Sequence, residues 1–173
     1  MVSQMPQAIS GVSSNAEAEI MTLYPSVAST VIGKLFGQIL ESIPTRVGGI
    51  KLSHLLFGLP IGLATVPGFF QLRLFGERYT LTNRSVQRWK ALGSTLIKSV
   101  PLTDVARVEI RQERGQEFYP AADLYLIGKG GETLLLLEGL IRAEIFRETI
   151  LKARDARLQT EAALATIQAR QPA

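Results

Sequence analysis

The run from Leu52 to Leu72, 21 consecutive positions, carries no formal charge. This run constrains the fold more than any other feature. About 20 apolar residues are enough to cross a hydrocarbon core of roughly 30 Å. Arg46 and Lys51 flank one end, Arg73 and Arg78 the other. Pro60, Pro67, Gly58, Gly62 and Gly68 lie inside it, and a membrane helix tolerates such residues better than a soluble one does. Three readings are open: a helix that crosses the bilayer, a kinked or re-entrant element that dips into it, or a buried element of a soluble core. The expected membrane-facing residues are Leu55, Leu56, Phe57, Leu59, Ile61, Leu63, Phe69 and Phe70. His54 reads as interfacial or packed rather than as a ligand. Both flanks are basic, so the positive-inside count gives no orientation.

Composition removes most catalytic chemistry. There is no cysteine and only one histidine, which excludes disulfides, zinc–thiolate sites, iron–sulfur clusters and cysteine nucleophiles. Serine–histidine catalysis would rest wholly on His54. Hydrophobic residues make up 46% of the 173 and charged residues 20%, which rules out wholesale disorder. The net charge of +4 is interleaved, as in Arg107, Glu109, Arg111, Glu113 and Arg114, and not gathered in the stripe a nucleic-acid protein shows. The first 26 residues hold no Lys or Arg, so no cleaved secretory signal is expected. The protein reads as non-enzymatic, with no cofactor or metal and no nucleic-acid partner.

Along the chain, residues 1–22 read as a disordered tail, rich in Ser, Gln, Asn and Ala near the start. Residues 23–72 read as an amphipathic helix followed by the apolar membrane-associated segment. The helix enters at Pro25-Ser26 and runs about 17 residues. Its stripe is Val27, Val31, Leu35, Ile39 and Ile43, widened by Ile32, Phe36 and Leu40, with Thr30, Lys34, Gln38 and Glu41 opposite. Gly33 and Gly37 form a GxxxG with Lys34 inside it, a weak dimerisation signal.

From about Leu72 the period becomes two. Strands are expected from Leu74 through Thr82, over Val86–Ala91 with Trp89, over Thr95–Val100, over Val105–Glu113, and at Leu124–Gly128 and Thr133–Leu137 around the hairpin Gly128-Lys129-Gly130-Gly131. Leu134–Leu137 lacks polar alternation and should be buried on both faces. After Gly139 a helix is expected to dock Ile141, Ile145, Thr149 and Ala153, with Phe146 and Ile150 beside them. Residues 73–153 thus form a domain with a capping helix, and 154–173 a helical or frayed extension.

This layout is α+β: a small β-barrel or sandwich of about seven antiparallel strands closed by a C-terminal helix. Three stretches carry a family resemblance: Tyr24-Pro25-Ser26, Arg78-Tyr79-Thr80-Leu81-Thr82-Asn83, and Ser99-Val100-Pro101-Leu102-Thr103-Asp104-Val105 with Val108. Through them, over about 130 residues of the chain, it resembles the bacterial pleckstrin-homology (PH) domain membrane proteins, in which an apolar membrane segment precedes one PH-like domain. It departs from them where Lys34 and Glu41 interrupt the first candidate helix, and where Ser85 takes the place of an arginine that here comes early, as Arg84.

The resemblance implies a membrane-associated protein whose PH-like domain faces the cytoplasm. The expected role is a scaffold or assembly factor for a membrane complex, with membrane lipid and a protein as partners. Eukaryotic PH domains bind phosphoinositides through basic residues in early strands, so Arg84, Arg88, Lys90 and Lys98 become a lipid-phosphate or partner-binding group. That makes a head-group-binding module the second reading and a fully soluble small binding domain the third. Trp89 reads as packing or an interface anchor. Asp104 reads as a turn residue. Glu109 and Glu113 share one strand face but stand ~13 Å apart along it, too far for a retaining carboxylate pair. Gly128–Gly131 lacks P-loop spacing.

Overall fold

The computed structural model describes residues 17–170. It is α+β, with three sheets and three helices. β1 (Glu19–Leu23), β4 (Glu77–Thr82), β5 (Ser85–Lys90) and β6 (Leu96–Pro101) form an antiparallel sheet in the order β1-β4-β5-β6. A short hairpin, β2 (Arg46–Val47) and β3 (Ile50–Lys51), stands apart. β7 (Val105–Arg111), β8 (Ala121–Gly128) and β9 (Thr133–Ile141) form the third sheet in chain order. No closed barrel forms among the described residues. The region after Phe75 supplies six strands, and the seventh of the two larger sheets is β1. Of this strand, residues 19–22 were expected in a disordered tail and Leu23 at the start of the next segment; residues 1–16 of that tail lie outside the described residues. β1 escapes a periodicity reading because it is short and sits alone before a long insertion.

That insertion sets the architecture. Leu23 at the end of β1 is opposite Tyr79 near the start of β4, so residues 24–75 leave and re-enter one sheet between adjacent strands. Ser26 caps a 3₁₀ turn at Val27–Ser29, its Oγ accepting from the Ala28 N–H at 3.2 Å. Thr30 caps α1 (Val31–Glu41), its Oγ1 accepting from the Gly33 N–H at 3.0 Å. The expected 17-residue helix is therefore split: Thr30 is extended, with φ −93° and ψ 150°, and the helix restarts after it. α2 (Leu52–Phe75) is one continuous helix through Pro60 and Pro67. The strand expected from Leu74 begins only at Glu77, because α2 continues to Phe75.

The core lies between the two larger sheets. Tyr79, Leu81, Val86 and Val100 come from one, and Val105, Val108, Leu124, Leu126, Leu135 and Leu137 from the other. Tyr79 Oη accepts the Glu138 N–H at 3.2 Å, and burial pushes its phenol up to about 12. Leu135 and Leu137 are buried, whereas Leu134 and Leu136 are half-buried. The run expected to be covered on both faces is therefore covered fully on one.

α3 (Ala143–Arg170) closes the core with Ala143, Phe146 and Ile150. Ile141 and Ile145 stay exposed. The docking stripe is thus rotated by about one position from the expected Ile141–Ile145–Thr149–Ala153 line, because β9 runs on to Ile141 and fixes where the helix starts. Arg147 Nε and Arg154 Nη1 donate to the Val108 and Ala106 carbonyls of β7 at 3.0 and 2.8 Å. Residues 171–173 lie outside the described residues.

Candidate membrane-facing and partner-binding surfaces

α2 is an apolar helix of 24 residues, about 36 Å long at 1.5 Å per residue. Its length and composition suit a membrane crossing. From His54 onward, only His54, Gly58, Ile61, Thr65, Gly68 and Leu72 are withdrawn from solvent. They recur at steps of four and three, the spacing of a narrow seam. Leu55, Leu56, Phe57, Leu59, Leu63, Phe69 and Phe70, all expected to face the membrane, are exposed. Ile61 was expected with them, but it lies on the seam and is turned inward. The exposed faces form a contiguous apolar surface far beyond what isolated surface leucines give.

α2 runs back along α1. Ser53 Oγ donates to the Leu40 carbonyl at 2.5 Å. Lys51 pairs with Glu41 across the same end. At the other end a groove of about 530 Å³ is lined by Val27, Ile32 and Phe36 on one side and Ala64, Gly68 and Phe75 on the other. Val31, Ile32 and Leu35 of α1 are exposed, so this part of the predicted apolar stripe faces away from the β body, whereas Leu40 is buried.

The opposite side of α1 is the one that docks. Gly33, Gly37 and Leu40 are its buried residues. A Cβ on Gly37 would lie 1.9 Å from the Gly115 carbonyl oxygen. Gly115 has φ +90°, and a Cβ there would lie 2.0 Å from the Lys34 carbonyl oxygen, so glycine is required on both counts. The GxxxG thus serves a contact within the chain. Lys34 Nζ donates to Glu113 Oε2 at 2.7 Å and lies 4.0 Å from Asp123 Oδ2. Burial lowers the Lys34 pKa, but the Glu113 hydrogen bond and the Asp123, Glu113 and Glu138 carboxylates outweigh it, and the net shift is upward.

Asp123 is the centre of this junction. It is buried in β8, where its Oδ1 accepts from Gln116 Nε2 at 2.6 Å and from the Gly139 N–H at 2.7 Å. Gly139, with φ +61°, leaves room for Ser29, and its carbonyl accepts the Ser26 N–H at 2.9 Å. Sequence reasoning missed Asp123. Its signal was a carboxylate flanked by Ala121, Ala122 and Leu124, a polar group that must be satisfied if the strand is buried.

The four expected cations do not converge. Arg84 sits in the turn between β4 and β5, at the end of β4 away from α2. Arg88 is opposite Lys98, but its guanidinium is engaged by Glu77 at 2.5 and 2.7 Å. That hydrogen bond, opposed by burial, holds the Arg88 pKa above its ordinary value. Lys90 is opposite Glu77. Arg84 and Arg88 are four positions apart, about 13 Å along an extended strand. Arg88 and Lys98 are therefore cross-strand neighbours, with Lys90 two residues on in the same strand and Arg84 just before its start.

The remaining candidates have local partners. His54 packs edge-on against Phe118 with ring centroids 5.3 Å apart, and its Nε2 lies 3.9 Å from Glu41 Oε1. Trp89 Nε1 donates to Gln87 Oε1 at 2.9 Å, and the Arg78 guanidinium stacks on its ring at 5.6 Å. Asp104 ends a 3₁₀ turn, Leu102–Asp104. Glu109 bridges Arg107 and Arg111 at 2.9 and 2.8 Å, and the Arg111 hydrogen bond leads in holding its carboxyl below the ordinary value. Glu113 is not on that strand, since β7 ends at Arg111; it turns instead to Lys34. Gly128–Gly131 turns β8 into β9, with the Gly131 N–H donating to the Gly128 carbonyl at 3.1 Å. Compared with known proteins, the chain matches no family model, no curated protein and no solved structure.

Proposed function

We propose that this protein is a non-enzymatic, membrane-attached adaptor. Its α1–α2 layer holds a PH-like β body at the cytoplasmic face of a bilayer, where the body binds a protein of a membrane complex. The observation that carries this reading is the exposure of α2: a helix apolar on every face that leaves all but a narrow seam uncovered. In water each exposed Leu or Phe forgoes about 1.5–3 kcal/mol of burial, and lipid supplies that burial. The four-stranded and three-stranded sheets closed by a C-terminal helix support the PH-like reading.

The partner surface is the free side of β6. It stands at the edge of its sheet, and Leu96 and Ile97 are exposed on it. An unpaired edge offers a row of backbone donors and acceptors to an incoming strand.

The test is vesicle flotation followed by site-specific photo-crosslinking. In neutral high-salt buffer the full chain should float with vesicles and leave them only with detergent. A crosslinker at Ile97, in native membranes, should yield one product of discrete mass, and a crosslinker at Thr160 should not. A full chain that stays in the supernatant contradicts the reading.

A further inference from the structure

The membrane-attached reading leaves open how α2 meets the bilayer, and the fold constrains that strongly. β1 precedes α1 and α2, β4 follows them, and the two strands pair directly, with Leu23 opposite Tyr79. A segment that leaves and re-enters one sheet starts and ends on one side of a membrane. It must therefore cross an even number of times. Among the described residues α2 alone is long and apolar enough to cross. α1 has 11 residues, about 16 Å, against a hydrocarbon core of roughly 30 Å. Lys34 in its middle is tied to Glu113 of the β body. No second crossing is available in residues 24–75, so the even number is zero.

The contacts along α2 agree. Its first turn meets the β7–β8 loop, where the His54 ring packs on Phe118. Its middle shares a cavity of about 410 Å³ with Tyr119 and Ile141. Its last turn meets β1's end, where the Arg73 guanidinium lies 5.2 Å from the Tyr24 ring centre. From His54 to Arg73 is about 28 Å along the axis, so the contacts of the helix with the β7–β8 loop and with Tyr24, the residue that follows β1, stand nearly a membrane thickness apart. A crossing helix would pull the β7–β8 loop, with Glu113, Arg114 and Glu117, into hydrocarbon, which irregular lipid-exposed backbone does not tolerate.

We propose that α2 lies flat in one leaflet as an interfacial helix, its seam against α1 and the β body and its exposed faces among acyl chains. This rests on the membrane-attached reading and specifies its surface. The occupant of the apolar face is the bilayer leaflet itself. The cations at both ends, Arg46 beside the Lys51–Glu41 pair at one and Arg73 and Arg78 at the other, then sit at one head-group level and favour anionic lipid. Their symmetry, which defeats an orientation count for a crossing helix, is what an in-plane helix needs.

The chain has no cysteine, so single cysteines report position directly. Val47→Cys, in the exposed hairpin before α2, and Gln159→Cys, on exposed α3, are each introduced into the full chain. Each protein is added to preformed sealed vesicles of phosphatidylethanolamine and phosphatidylglycerol. A membrane-impermeant maleimide should label both sites fully from outside, with no gain after detergent. If Val47→Cys is protected until detergent is added while Gln159→Cys is open, α2 crosses and the proposal is overturned.

A second measurement does not depend on orientation. A fluorophore placed in turn at Leu55, Leu63 and Leu74, quenched by lipids labelled at graded depths, should report one shallow depth at all three. A deep Leu63 between shallow ends would contradict the proposal. A chain that fails to float at all refutes the membrane-attached reading itself, and is distinguished by that from a chain that floats and crosses.

Discussion

Leu124 in β8 is fully buried, whereas Leu63 in α2 is 69% exposed. The two belong to equally apolar stretches of one chain, and the contrast extends to the regions around them. The β body hides Tyr79, Leu81, Leu124, Leu126, Leu137 and Phe146 behind two sheets and a helix. The α1–α2 layer touches that body through glycines, one lysine and a narrow seam, and leaves its largest side chains outside. Hydrophobicity in the first region is used to fold the chain. In the second it is left over after folding, and is available to something that is not this chain.

The sharpest way to break that contrast is to make the same cut in both regions. Leu124→Ala should cost about 2–5 kcal/mol of unfolding free energy, measured by denaturant titration of the detergent-solubilised chain. Leu63→Ala should change that value by no more than about 0.5 kcal/mol, and should instead weaken vesicle partitioning on the order of tenfold. Equal stability losses at the two sites would place α2 in a protein core. Next in size is Asp123→Ala, which strips an acceptor from the buried Gly139 N–H and from Gln116. It should cost about 1–3 kcal/mol. Asp123→Asn, which keeps an acceptor oxygen, should cost less.

An effect of similar size falls on the α1 side of the junction. Gly37→Ala puts a methyl where the Gly115 carbonyl lies. The expected result is faster amide exchange in α1 with β8 and β9 still protected, for a loss of about 1–3 kcal/mol. The smallest effect is pH-dependent. The pKa of Lys34 is raised in the folded chain, so its contribution is complete below the unfolded lysine value and fades as pH rises through the folded one. The protection of α1 amides, taken relative to their intrinsic base-catalysed exchange, should therefore fall above about pH 10, and Lys34→Met should remove most of that fall. An alkaline carbonate wash reaches the same range, which is why the partition experiments use neutral high salt.

The sequence made most of the strands readable, because period-two alternation and turn residues are local signals. Asn83-Arg84 and Gly128–Gly131 turn where turn chemistry places them. The apolar run was legible from the absence of charge alone. What was not legible depended on contacts distant in sequence. β1 is five residues long and finds its partner 58 positions away, as in the hydrogen bond between Thr22 and Thr80. The face that α1 buries could not be read from amphipathicity, because its docking surface is made of Gly33 and Gly37 together with Leu40, and leaves Val31, Ile32 and Leu35 outside. The seam on Ile61 was hidden for the same reason: in a helix apolar on every side, no periodicity marks the inner line. The four cations looked like a cluster because they lie close in sequence. Strand geometry set Arg84 apart from Arg88, and Glu77 took the Arg88 charge.

The central claim is that residues 24–75 are a membrane anchor inserted between two paired strands of a self-sufficient β body. Its most direct test replaces 24–75 with a short Asn-Gly turn joining Leu23 to Gly76, since those strand ends are already neighbours. Truncation at Gly76 would be a poorer test, because it removes β1. The full chain and the replaced chain are compared for flotation with anionic vesicles in neutral high salt and for cooperative unfolding. The account predicts that the full chain floats and needs detergent, while the shortened chain stays in the supernatant and unfolds in one transition. A full chain that is soluble without detergent, or a shortened chain that is unfolded, would contradict it.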